Sequence, residues 1–108
     1  LHEATAVGGL MGTKLVLNEM VAYMDLTSPA MHLSDKSFLI ASFALCSFGN
    51  LGSIAILLGG IGELAPNQRK NLARLGVRAL ICGTLTCYMS ACIVGILLKF
   101  NKFNNFYI

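Results

Sequence analysis

Residues 44–62 read ALCSFGNLGSIAILLGGIG, and how that stretch folds decides the architecture. It sits in an apolar run, residues 36–62, long enough to cross a bilayer, which takes about 20 apolar residues in a helix. Yet the centre of the run, Ser47-Phe48-Gly49-Asn50-Leu51-Gly52-Ser53, carries the residue types of helix ends. Gly49 suits the left-handed conformation that closes a first half-helix, and Asn50 or Ser53 can cap the start of a second. Lipid does not tolerate exposed non-helical backbone, so such a break must line a cavity or be covered by other helices. The plainer alternative is a packing helix kinked at a Gly/Ser pair.

The preceding apolar block, residues 4–26, weakens that alternative because it is interrupted too. Gly8, Gly9 and Gly12 lead into Thr13 and Lys14, and Asn18 and Glu19 follow after three apolar residues. In a continuous spanning helix this cluster would lie in hydrocarbon, where a central charge costs roughly 2.5 to 3.5 kcal/mol and each glycine weakens the helix by about 1 kcal/mol relative to alanine. The pattern therefore predicts a re-entrant hairpin over residues 1–26, with half-helices near 1–11 and 15–26. Each would run roughly 16 to 18 Å at 1.5 Å per residue, about half the hydrocarbon thickness. Consecutive discontinuous helices point to a substrate site in secondary transporters.

The third block, residues 72–98, reads as one continuous spanning helix with Ala79, Gly83, Cys87, Ala91 and Gly95 at every fourth position. Such a stripe allows close helix approach. Arg69, Lys70, Arg74 and Arg78 cluster at its start, which places the loop around residues 63–71 in the cytoplasm by the positive-inside rule. The tail, residues 99–108, with Phe100, Phe103, Phe106 and Tyr107, then lies at the outer interface, where aromatic side chains act as anchors.

Composition agrees. The 108 residues are 56% hydrophobic and 12% charged with a mean hydropathy of +0.70, whereas soluble domains carry about 25% charged residues. Cys46, Cys82, Cys87 and Cys92 show no metal or CxxC spacing and read as small packing residues. His2 and His32 are isolated near segment ends and read as solvated rather than ligating. The net charge of +3 forms no basic face of the kind nucleic-acid binding needs. The chain opens on Leu1 without the order of a signal peptide, and the expectation is a fragment of a longer protein. Glu19 has no partner histidine in its own or the neighbouring segment, which argues against an enzyme.

Glu19 falls in the first turn of a half-helix, where free N–H groups and the dipole favour a carboxylate. Asn18 beside it offers both donor and acceptor. Lys14 could instead form a structural ion pair with Glu19, as intramembrane charges commonly do; spacing leaves both readings open.

Residues 12–26, GTKLVLNEMVAYMDL, residues 44–62, and the basic segment APNQRKNLARLGVRAL that follows together resemble the C-terminal part of a concentrative nucleoside transporter. The likeness covers about Gly8 to Leu97. It departs at Met20, where the family string usually has phenylalanine. The resemblance implies an all-α membrane fragment: a re-entrant hairpin (1–26), a broken transmembrane helix (36–62), a final continuous helix (72–98) and a tail (99–108). It implies that Glu19 holds the nucleoside ribose, that Asn50 and Ser53 bind ribose from the break, and that Phe48 and Asn18 approach the same substrate. It also implies cation-coupled nucleoside uptake across a bacterial inner membrane by a multi-pass homotrimer, surrounded by lipid and completed by the remainder of the transporter chain. No cofactor is expected beyond a coupling ion, sodium or proton. The ion's site, with the first hairpin and its Gln-Thr-Glu-type base-recognition motif, is expected upstream. The rival reading is a non-transporting membrane subunit whose broken helices serve packing only.

Overall fold

The computed structural model describes residues 2–104, and within them the chain is helical: α1 (His2–Val16), α2 (Glu19–Leu26), α3 (Asp35–Leu45), α4 (Leu51–Leu64), a 3-10 turn (Pro66–Gln68) and α5 (Arg69–Asn104). α1 and α2 are joined by Leu17 and Asn18 alone and fold back on each other, with Leu10, Ala22 and Leu26 joining Ala41 and Leu45 of α3 in one buried cluster. Burying such side chains stabilises by about 25 cal/mol per Å² of apolar surface removed from water. The small size of Ala22 and Ala41, both 0% exposed, lets the three backbones approach closely.

The chain reverses later than its glycines suggest. α1 continues through Gly12 and Lys14 to Val16, because no glycine among the described residues adopts a positive φ and nothing crowds Gly8, Gly9 or Gly12. Asn18 sets the turn instead: its backbone is extended (φ −165°, ψ 171°) and its side chain accepts from Val21 N at 2.9 Å. The half-helices are therefore 2–16 and 19–26 rather than 1–11 and 15–26.

The second interruption lies between Leu45 and Leu51, and Gly49 does not close the first helix as expected. Cys46 does, at φ −71°, ψ 66°, with Ser47 N donating to Leu45 O at 2.7 Å; that is an inverse γ-turn, which any L-residue can form. Gly49 lies against α5 instead, where a Cβ would stand 3.4 Å from Leu80 Cδ1, an ordinary contact distance.

α5 starts three residues earlier than expected and runs on to Asn104, as residues 99–104 contain neither glycine nor proline to end it. Phe106 and Tyr107 of the expected anchor lie outside the described residues, and Phe100 is exposed. The small-residue stripe seats α3: Ala91 is buried, Ile40 Cδ1 lies 3.2 Å from where a Cβ of Gly95 would stand, and Cys87 Sγ reaches Cys46 O at 3.5 Å. Ala79, at the stripe's start, is exposed; there α5 packs on α4 instead, through Gly76 against Ile54. At the α4–α5 corner Arg69 Nε donates to Gly62 O at 3.1 Å and its Nη2 to the Glu63 carboxylate, satisfying a carbonyl that the helix end leaves open. α5 with its preceding turn is the one described helix long and apolar enough to cross a membrane, with a mean hydropathy of 2.0 over its best window.

Candidate functional site

The α1–α2 tip meets the α3–α4 break. Glu19 is the first residue of α2, and Asn50 caps α4 from an extended backbone (φ −145°, ψ 169°) by accepting from Ser53 N at 2.7 Å. Asn50, 5% exposed, turns its amide toward the tip, where Nδ2 donates to Glu19 Oε2 at 3.4 Å. That distance lies well beyond the 2.9–3.0 Å norm for N–H···O bonds, so the carboxylate is loosely held and keeps acceptor capacity for other donors. Asn50 Nδ2 also approaches Phe48 O at 3.4 Å.

Ser53 Oγ lies 2.7 Å from Phe48 O and 3.1 Å from Asn50 Oδ1. A hydroxyl has one proton, so the nearer carbonyl takes it and the oxygen's lone pairs stay free to accept. Phe48, within the break, is 81% exposed. Asn18 is exposed, its side-chain oxygen used by the α2 cap. The structure thus brings Glu19, Asn50, Ser53 and the Phe48 backbone together, while Asn18 flanks the group. Carboxylate, amide and hydroxyl converging on one spot can bind a neutral polyol through donor and acceptor pairs.

Lys14 is not the ionic partner of Glu19. Among the described residues the ion pair is Arg69 with Glu63, both largely exposed and so contributing little. Lys14, 2% exposed, instead donates from Nζ to Ser47 Oγ at 2.7 Å and to Ala44 O at 3.3 Å. Tyr23, which no sequence pattern singles out, donates its hydroxyl to Ser42 O at 2.6 Å. At the other end of α3, the Glu3 carboxylate accepts from Ser34 N at 3.2 Å and from Ser34 Oγ at 2.9 Å, and also from the Ser37 hydroxyl. Among the described residues, three or more His, Cys, Asp or Glu side chains nowhere gather as metal ligands.

A family profile described as "Na+ dependent nucleoside transporter C-terminus" matches residues 1–95. The chain is 51% identical over 94 residues to the uncharacterized transporter YutK of Bacillus subtilis, covering 87% of this chain and 23% of that one. It is 41% identical over 104 residues to the nucleoside permease NupC of Helicobacter pylori (92% and 25% covered). It is 40% identical over 111 residues to solute carrier family 28 member 3 of Homo sapiens (89% and 16% covered). The structure matches CNTnw in an inward-facing substrate-bound state with a TM-score of 0.80 and 48% identity, over 91% of this chain and 25% of that one. The chain spans about a quarter or less of the length of these relatives. The all-helical build of the described residues, the apolar composition and these likenesses place the chain among families of membrane transport proteins. Within that class the chain belongs to the concentrative nucleoside transporter family, as its C-terminal region.

Proposed function

We propose that this chain supplies the ribose side of the nucleoside site in a cation-coupled transporter that takes up nucleosides across the bacterial cytoplasmic membrane. The observation that supports it most directly is the approach of Glu19 and Asn50 across the tip and the break, 3.4 Å apart, each at the N-terminus of its own half-helix. In this reading α1 and α2 form a re-entrant hairpin, α3 and α4 one broken transmembrane helix, and Glu19, Asn50 and Ser53 hold sugar hydroxyls while Asn18 and Phe48 border them. The remaining chain provides base recognition and the coupling-ion site, and the whole assembles as a multi-pass homotrimer in lipid. The nucleoside permease of Helicobacter pylori supports the substrate class.

Asn50→Ala and Ser53→Ala in the complete transporter test the sugar assignment. A site built to bond a hydroxyl penalises a ligand without it, because its own buried groups go unpaired. Each variant should weaken a ribonucleoside roughly two- to tenfold, as loss of a neutral hydrogen bond does, and the matching deoxynucleoside less. Equal losses for both, measured as uptake affinities, would reduce these residues to helix caps.

Topology is tested separately. The exposed basic residues Lys70, Arg74 and Arg78 support a cytoplasmic α4–α5 corner by the positive-inside rule. Single cysteines at Asn67 and Asn104, with native cysteines removed, should react with an impermeant thiol reagent from opposite faces of the membrane. Reaction from the same face would overturn the assignment.

A further inference from the structure

Buried charges commonly pair with one another, yet Lys14 and Glu19 lie five positions apart in sequence and do not. The helix ends around them give the reason. Glu19 opens α2 and meets the Asn50 cap of α4, so the anion faces two helix N-termini, whose free N–H groups and dipoles favour negative charge. Lys14 sits in the last turn of α1 and donates to Ala44 O, one of the final carbonyls of α3 (Asp35–Leu45). The cation therefore faces two helix C-termini, where carbonyls without helical partners and the negative dipole ends favour it. Its second bond, to Ser47 Oγ, grips the break itself, thirty-three residues away in sequence. Four helix ends converge here, and each charge is placed at the ends that suit it.

We infer that Lys14 is a positioning residue: its ammonium fastens the hairpin tip to the end of α3 and so fixes the separation across which Glu19 and Asn50 face the substrate. This rests on the ribose-site reading for its functional consequence, while its structural part stands alone. With Lys14 removed, Ala44 O and Ser47 Oγ lose their donor and the tip is free to drift from the break. A conservative Lys14→Arg keeps the charge between the same acceptors, and Lys14→Met fills the space without it.

The test uses the complete transporter in lipid, with native cysteines replaced and spin labels at Leu17 on the tip and Leu51 at the start of α4, both about half exposed. The inter-label distance distribution is measured by pulsed electron resonance, and nucleoside KM and maximal uptake rate are measured beside it. Lys14→Met should broaden the distribution and raise KM about tenfold, the low end for a lost bond to a charged group, with a smaller change in maximal rate. Lys14→Arg should restore both readouts to within about threefold on that scale. Should Lys14→Met fail to reach the membrane, Ser47→Ala removes one acceptor only and must move both readouts the same way by a smaller amount. Wild-type distances and KM in Lys14→Met, or in Ser47→Ala where that stands in, would overturn the inference. Broadened distances together with an unaffected Glu19→Gln would instead leave the clamp standing and remove the ribose site.

Discussion

Replacing Glu19 by glutamine in the complete transporter should lower nucleoside affinity roughly ten- to a hundredfold, the worth of a hydrogen bond to a charged group. Glutamine keeps the volume but turns one acceptor oxygen into a donor, so two sugar hydroxyls can no longer both be received. The α2 N-terminus already stabilises the charge, and among the described residues the side-chain donor to the carboxylate, Asn50, is far at 3.4 Å. Much of the carboxylate's capacity thus remains for a ligand. If an ion pair with Lys14 were its main role, Lys14→Met with Glu19→Gln would restore uptake by removing both charges together. The ammonium is committed to Ser47 and Ala44, so no rescue is expected. Near-normal uptake by that double variant at matched protein levels would make Glu19 structural.

Asn50→Asp should abolish most uptake although it preserves the helix cap. An aspartate oxygen can still accept from Ser53 N, as Asn50 Oδ1 does at 2.7 Å, and aspartate caps helices as well as asparagine. What changes is the other half of the side chain: the amide that donates to Glu19 becomes a second carboxylate at the same short range. Two unit charges about 4 Å apart repel by roughly 4 kcal/mol at an effective dielectric constant of 20, and the Lys14 ammonium is committed to Ser47 and Ala44. The expected result is a folded, membrane-inserted protein with a loss of affinity larger than that of Asn50→Ala. Uptake in Asn50→Asp equal to or above that of Asn50→Ala would show that capping is all Asn50 does.

The interruptions were legible because Asn, Gly, Ser and Glu inside apolar runs are costly unless they serve a helix end. Glu19 in the first turn of α2 follows from that reasoning, which left the α4 cap open between Asn50 and Ser53; the structure has Asn50. The position of the first reversal did not follow. Glycines mark a turn only where the backbone uses their freedom, and Gly8, Gly9 and Gly12 stay helical while Asn18 makes the turn. Gly49 misled for the same reason: its backbone does not use the left-handed conformation, and Cys46 closes α3 instead. The Lys14 partner was illegible in the same way. Nearness along the chain suggested Glu19, whereas the acceptors come from the end of α3 and the break after it, thirty and thirty-three residues on.

The length of α5 sets a depth scale for the rest. Thirty-six residues span about 54 Å at 1.5 Å per residue, whereas a helix tilted by 40°, the steep end of the usual range, crosses 30 Å of hydrocarbon in about 26 residues. In a bilayer-spanning α5 about ten residues therefore stand in headgroups or water, shared between its basic start at Arg69 and Lys70 and its polar end from Lys99 to Asn104. α4 gives the same answer from the other direction. Its fourteen residues reach about 21 Å, so a start at the midplane carries its end about 6 Å past the hydrocarbon edge. With α4 starting at the midplane as the proposed topology has it, the Arg69–Glu63 corner reaches water, which suits two exposed ions.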